Sequence, residues 1–152
     1  MDQYHHRIND WLRALYGDNE TVLDETGRIY LTHSDDIGLV ICVPDEADDV
    51  YIYADLMRVP DQPDQEFFEQ VLALNGSPQL NFGAHIFLER QSSQLVALYS
   101  RQVSALDIEK FGNILSNIPK AIQSLRLQLI EYAQDIKTSN FQNEIYQSEF
   151  RT

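Results

Sequence analysis

Cysteine is almost missing from this chain. Cys42 stands alone, which excludes an internal disulfide and a multi-cysteine zinc site. Its neighbours Leu39, Val40, Ile41 and Val43 give it the setting of a buried strand, structural in character and not reactive. Basic residues are scarce as well: 11 Lys and Arg face 24 Asp and Glu, a formal charge of −13. Such a surface repels a polyanion and releases none of its counterions, so nucleic acid is not expected as a partner. The same acidity keeps sticky surfaces soluble or steers basic segments toward them. No apolar run approaches membrane-spanning length, so membrane insertion is not expected. The opening residues, Met1-Asp2-Gln3-Tyr4-His5-His6, lack a basic region leading into an apolar stretch, and the cytoplasm is the expected address.

Motifs that carry chemistry are missing too. Six scattered glycines form no phosphate-binding loop before a helix, and no Gly-x-Ser-x-Gly occurs. His5 and His6 are adjacent and point to different sides of a helix, and His33 and His85 each stand alone near apolar strands. The acids at 45–49 lack the alternation, central glycine and distal glutamate of a calcium loop, and read as a turn. No metal, cofactor or catalytic residue is expected. A grouping of Cys42, His33 and Asp35 across a hairpin is the least poor enzymatic idea, and nothing in the spacing requires it.

What is present is a balanced globular composition, 43% hydrophobic and 23% charged, in 152 residues, enough for one domain with a real core. Tyr4, Ile8, Trp11, Leu12, Leu15 and Tyr16 fall on one face of a helix that Gly17-Asp18-Asn19 stops. Apolar runs at 28–33, 37–44 and 50–59, split by short acidic connectors, predict an antiparallel meander. Phe67, Phe68, Val71, Leu72 and Leu74 predict a short helix after Pro63-Asp64, ended by Asn75-Gly76 and the break at Ser77-Pro78. Strands at 84–91 and 94–102 make a hairpin through Ser92-Ser93. From an N-cap at Asp107, a stripe from Phe111 to Leu129 predicts a long helix that Pro119 should kink or split. The fold class is therefore α+β: a five-stranded antiparallel sheet with three helices in the order α-β-β-β-α-β-β-α. Residues 1–136 form the domain and 137–152 a C-terminal tail, frayed or weakly helical.

The chain also holds surplus apolar surface. Val50, Ile52 and Leu56 oppose Tyr51, Tyr53 and Met57 along one strand, and Leu39, Ile41 and Val43 oppose Val40 and Cys42 along another. A sheet with helices on one side only would leave one of these faces for a partner, for a second copy or for the tail.

The element order resembles that of the class I type III secretion chaperones, small acidic homodimers of Gram-negative bacteria. More telling are Leu72-Ala73-Leu74-Asn75, then Gly83-Ala84-His85-Ile86-Phe87-Leu88-Glu89, then Gln94-Leu95-Val96-Ala97-Leu98-Tyr99. They are similar to the family's Leu-rich helix ending in Asn, a Gly that opens an apolar strand, and a hairpin return. The start at Leu106-Asp107 and the stripe that follows continue the pattern from Tyr4 to about Tyr132; Pro119 and the residues beyond Lys137 depart from it. The resemblance implies a cytoplasmic homodimer that binds the N-terminal region of a secreted effector in extended form, without ATP or a cofactor. It nominates Phe68, Leu72, Ile86, Phe87 and Leu88 for the dimer interface, and the first helix and meander for the effector. Alternation within the meander singles out Ile29, Leu31, Val40, Tyr51, Tyr53 and Met57 for that contact. The rival readings are an interaction domain of the same fold unrelated to secretion, and a small ligand-binding protein or enzyme with a pocket between helix and sheet.

Overall fold

A computed structural model describes residues 1–33 and 36–149, with side chains through Asp135. The elements run α1 (Gln3–Tyr16), β1 (Arg28–His33), β2 (Ile37–Cys42), β3 (Asp49–Arg58), α2 (Gln65–Asn75), α3 (Pro78–Asn81), β4 (His85–Glu89), β5 (Gln94–Gln102), a 3-10 turn (Val103–Ala105) and α4 (Ile108–Glu149). The five strands form one antiparallel sheet in the order β1-β2-β3-β5-β4. The α+β class and the five strands are as expected. The short α3 is additional, because Pro78 suits the first turn of a helix, where its missing N–H costs nothing.

The core forms where three helices lay their apolar stripes on one sheet face. Ile8 and Leu12 of α1, Phe67, Val71 and Leu74 of α2, and Phe111, Leu115, Ile118, Ile122, Leu125 and Leu129 of α4 are buried in one cluster. They meet Leu39 and Ile41 of β2, Val50, Ile52 and Ala54 of β3, and Leu95, Ala97 and Tyr99 of β5. These strand positions alternate, as the two-residue period of a pleated strand requires. Helix α4 starts where expected, with Asp107 accepting from the Lys110 N–H at 2.8 Å. It is not split at Pro119, which is buried inside it. The ring deletes one helical hydrogen bond, but the stripe on both sides of it packs into the same core and holds the axis together. Residues 137–149 continue α4 without a break.

Polar side chains at the ends of the elements tie them together. Asp2 caps α1, accepting from the N–H groups of Tyr4 (2.8 Å) and His5 (3.1 Å), while its second oxygen accepts from Glu46 N–H (2.7 Å) in the β2–β3 turn. The buried His5 ring lies against the same carboxylate, Nδ1 to Oδ1 at 2.9 Å. Asp48, in the same turn, accepts from the Ser104 N–H (2.8 Å) and hydroxyl beyond β5. Gly27 (φ +73°) presses against this joint, and a Cβ there would lie 2.3 Å from the Val43 carbonyl and 2.7 Å from His5 Nε2. The end of α2 is tied to β4 by two asparagines. Asn81 donates to the carbonyls of Leu74 (3.1 Å) and Asn75 (2.8 Å), and Asn75 Oδ1 accepts from Ile86 N–H (2.7 Å).

Two stability predictions follow from the α1 joint. Gly27→Ala must adopt a left-handed conformation and displace a backbone carbonyl, and should cost about 2–4 kcal/mol in urea denaturation. Burial pushes the Asp2 carboxyl up, but the N–H groups of His5, Glu46 and Tyr4 and the His5 ring outweigh it and hold the group well below its ordinary 3.8. A carboxyl lowered by folding contributes stability that is complete above its unfolded value and is lost as the pH falls through the folded one. Asp2→Ala should therefore melt lower than wild type at neutral pH by the usual worth of a cap, about 1 kcal/mol. The gap should close only when the pH falls well below 3.8, as read from melting temperature against pH.

Candidate functional site

The second face of the sheet is free of packed helices among the described side chains, apart from Arg126 at its rim. Its residues are those that alternate with the core. One row crosses all five strands: Tyr30 opposite Val40, Val40 opposite Tyr53, Tyr53 opposite Leu98, and Leu98 opposite His85. A neighbouring row carries Cys42, Tyr51 and Ser100, and another Asp55, Val96 and Phe87. Aromatic rings stitch the rows together: Tyr53 meets Tyr51 at 6.5 Å between centroids and Phe87 edge-on at 6.4 Å. Burial pushes the Tyr53 hydroxyl up, with smaller contributions from Cys42 and Tyr51, so Tyr53 stays a neutral, amphipathic contact. Tyr30 lies exposed across Gly38, where a Cβ would be 2.2 Å from its hydroxyl; the ring occupies the space that a side chain at 38 would take. The result is a shallow, mostly apolar surface with tyrosine hydroxyls at its margins, suited to gripping a chain by its side chains and backbone.

At one end this face is notched. Strands β2 and β3 pair only from Val40 to Cys42, while β1 and β2 pair along their full length. Beyond Tyr53 the two strands part, and a bulge interrupts β3 between Asp55 and Met57. Arg126 of α4 replaces the missing ladder partner, donating to the Asp55 carbonyl through Nε (3.2 Å) and Nη2 (2.7 Å).

The six residues nominated for effector contact do not share one face. Val40, Tyr51 and Tyr53 lie together on the open side. Ile29 and Leu31 pair with Ile41 and Leu39 and pack against the core from the edge strand, and the β3 bulge turns Met57 toward Leu95 on the same side. Alternation orders the residues within one strand, but only the register between strands says which set faces which layer. Tyr30 and Leu98 belong to the open face and were missed. The signal for Leu98 was present, because it alternates with Tyr99 along β5.

Of the residues nominated for a dimer interface, Leu72 (68% exposed), Phe87 (39%) and Leu88 (40%) offer apolar surface. Ile86 is only 7% exposed and belongs to the core, and Phe68 packs against that core beside Phe67. Phe68 and Leu88 also line a cleft of about 310 Å³ with Val59 and Pro60. The Cys42 and His33 grouping does not form. Cys42 pairs with Arg28 and His33 with Ile37, placing them at opposite ends of the β1–β2 ladder, and Asp35 lies outside the described residues. Cys42 itself is half-buried on the open face and is not a core residue. No three metal-capable side chains converge among the described residues, and no described helix is long and apolar enough to cross a membrane.

An antiparallel sheet with its helices on one face and an apolar second face defines an α+β binding domain. The Tir chaperone protein (CesT) family model matches residues 12–126, and the chain belongs to that family. Solved structures share the fold. A chain of the ExsC-ExsE complex superposes with a TM-score of 0.70 at 20% identity, over 85% of this chain and 97% of that one. A chain of the HopA1-SchA chaperone-effector complex gives 0.60 at 20% identity, over 81% and 92%. A chain of the heterodimeric ExoU-SpcU complex from the type III secretion system of Pseudomonas aeruginosa gives 0.57 at 17%, over 82% and 96%. No curated protein sequence matches.

The two faces are separable by paired substitutions. Leu31→Glu places a charge against the core edge and should destabilise by about 1–3 kcal/mol. Tyr53→Glu, on the helix-free side, should stay within about 1 kcal/mol of wild type. Urea denaturation of both variants checks the assignment; equal losses would contradict it.

Proposed function

We propose that this chain is a cytoplasmic, homodimeric chaperone that binds the N-terminal region of a type III secretion effector. On this reading it holds that region extended and competent for export. The observation that carries the reading is the apolar row Tyr30-Val40-Tyr53-Leu98, which runs across the sheet on the face the helices leave uncovered. Membership of the Tir chaperone family supports it, as do the chaperone-effector complexes among the proteins of like fold. The effector contacts in this proposal centre on Val40, Tyr51 and Tyr53, with Tyr30 and Leu98 added to them. Leu72, Phe87 and Leu88 supply exposed apolar surface for the dimer.

Binding of this kind needs no catalysis. An unfolded segment that lays apolar anchors on the sheet gives up chain entropy as it orders, which moderates its affinity and permits hand-over to the export machinery. The net charge of −13 keeps a protein with such a surface soluble and favours clients with basic segments.

Capture of bound protein by the tagged chain in its own bacterium, read by native mass spectrometry, tests the reading. The expected species is a dimer carrying one protein that is protected from proteolysis only near its N-terminus. Tyr53→Glu should lose that cargo and keep the dimer. Cys42, the single cysteine, supplies a second readout, since cargo on the open face should slow its alkylation several-fold. A monomer without cargo, or unchanged capture by Tyr53→Glu, would contradict the proposal.

A further inference from the structure

We propose that a cavity between β5 and the first turns of α4, on the helix side of the sheet and apart from the open face, is a binding site for a carboxylate carried on a short apolar stem. The inference does not depend on the chaperone reading. It is a cleft of about 190 Å³, open to solvent on one side, with room for a group the size of an amino-acid side chain, and Tyr99, Arg101, Asn113 and Asn117 are the polar residues among those that line it. Tyr99 is only 5% exposed, and its hydroxyl is buried without a hydrogen-bond partner among the described residues. Buried hydroxyls are nearly always paired, and one left alone costs stability that a phenylalanine at the same place would not. Tyr99 therefore packs its ring in the core and carries a donor that the described fold leaves unused.

The lining donors decide what the ligand must bring. Burial pushes the Tyr99 hydroxyl up to about 12, against the opposing pull of Arg101, so it is a hydrogen-bond donor at neutral pH. Arg101 spends one nitrogen on the Ser100 carbonyl at 2.7 Å and forms no ion pair with a described carboxylate, although the chain has 24 acidic side chains. Asn113 and Asn117 stand one helical turn apart on α4 and add two amides. The Arg101 guanidinium has only protons to offer, and with the Tyr99 hydroxyl as a second donor it calls for an anionic acceptor. Phe82 and Ile118 line the remaining wall and call for an apolar stem. Free small organic acids and the acidic side chain of a bound polypeptide share this chemistry.

Titration of the full ¹⁵N-labelled chain, followed by amide chemical shifts, tests the site. One arm uses 4-methylpentanoate with 4-methylpentanamide as its neutral control. The other uses acetyl-Leu-Glu-Leu-amide with its Gln counterpart. The expected result is saturable binding of at least one acid, with shifts centred on residues 99–102 and 113–118 and a dissociation constant at least about tenfold below that of its neutral control. Binding in the first arm identifies a free acid as a sufficient ligand; binding in the second arm alone identifies an acidic side chain. Arg101→Gln should weaken binding about tenfold. Tyr99→Phe should weaken it several-fold while melting at or above the wild-type temperature, which separates a ligand role from a structural one. No saturation by either acid at 50 mM, shifts elsewhere, or unchanged affinity in Arg101→Gln would overturn the proposal.

Discussion

Everything in this domain depends on strand β3 being apolar on both faces while only one face is covered by helices. Val50, Ile52 and Ala54 are buried under α4 and its neighbours, and that burial is the main stabilising term for the sheet. Tyr51 and Tyr53 then have no choice of direction, because the pleat sends every second side chain to the other layer. Since β3 sits at the centre of the sheet, between β2 and β5, its neighbours inherit the same division through the register. The open face is thus a geometric consequence of the core.

What the sequence revealed and what it concealed divide along the range of the interactions involved. Local periodicity was enough for α1, α2, the start of α4 and five strands, because each is defined by spacings of two, three or four residues. The tie between Asp2 and Glu46 and the tie between Asp48 and Ser104 join positions 44 and 56 residues apart, and no local pattern announces them. The acids at 45–49 read as a solvated turn, yet Asp49 opens β3, the Asp48 carboxylate anchors Ser104, and the Glu46 N–H anchors Asp2. Asn75 was legible as a helix stop and as a family feature, but not as a tie to β4. Its physical reason is the hydrogen bond its side chain accepts from the start of β4. At Pro119 the local rule was right about the missing hydrogen bond, but the helix is not split there, because packing on both sides of the ring outweighs one bond.

The candidate site was legible in part, for the same reason. Val40, Tyr51 and Tyr53 could be grouped from alternation, but Ile29, Leu31 and Met57 could not be assigned to a layer without the register and the β3 bulge. Assigning them to the core edge changes the character of the surface. What remains is narrower and more aromatic, with tyrosines that bury an apolar ring and keep a polar hydroxyl at the margin.

The early end of the β2–β3 ladder has a mechanical consequence. The β1–β2 hairpin is tightly knit within itself, but it is joined to the rest of the sheet by pairing only from Val40 to Cys42 and by the core side chains beneath it. Its far end, where Ile37 and Leu39 are buried in the core, is held to the sheet by side chains from beneath instead of by a ladder, and Arg126 caps the Asp55 carbonyl where that ladder stops. Resistance to opening at that end therefore comes from side-chain packing and not from backbone pairing.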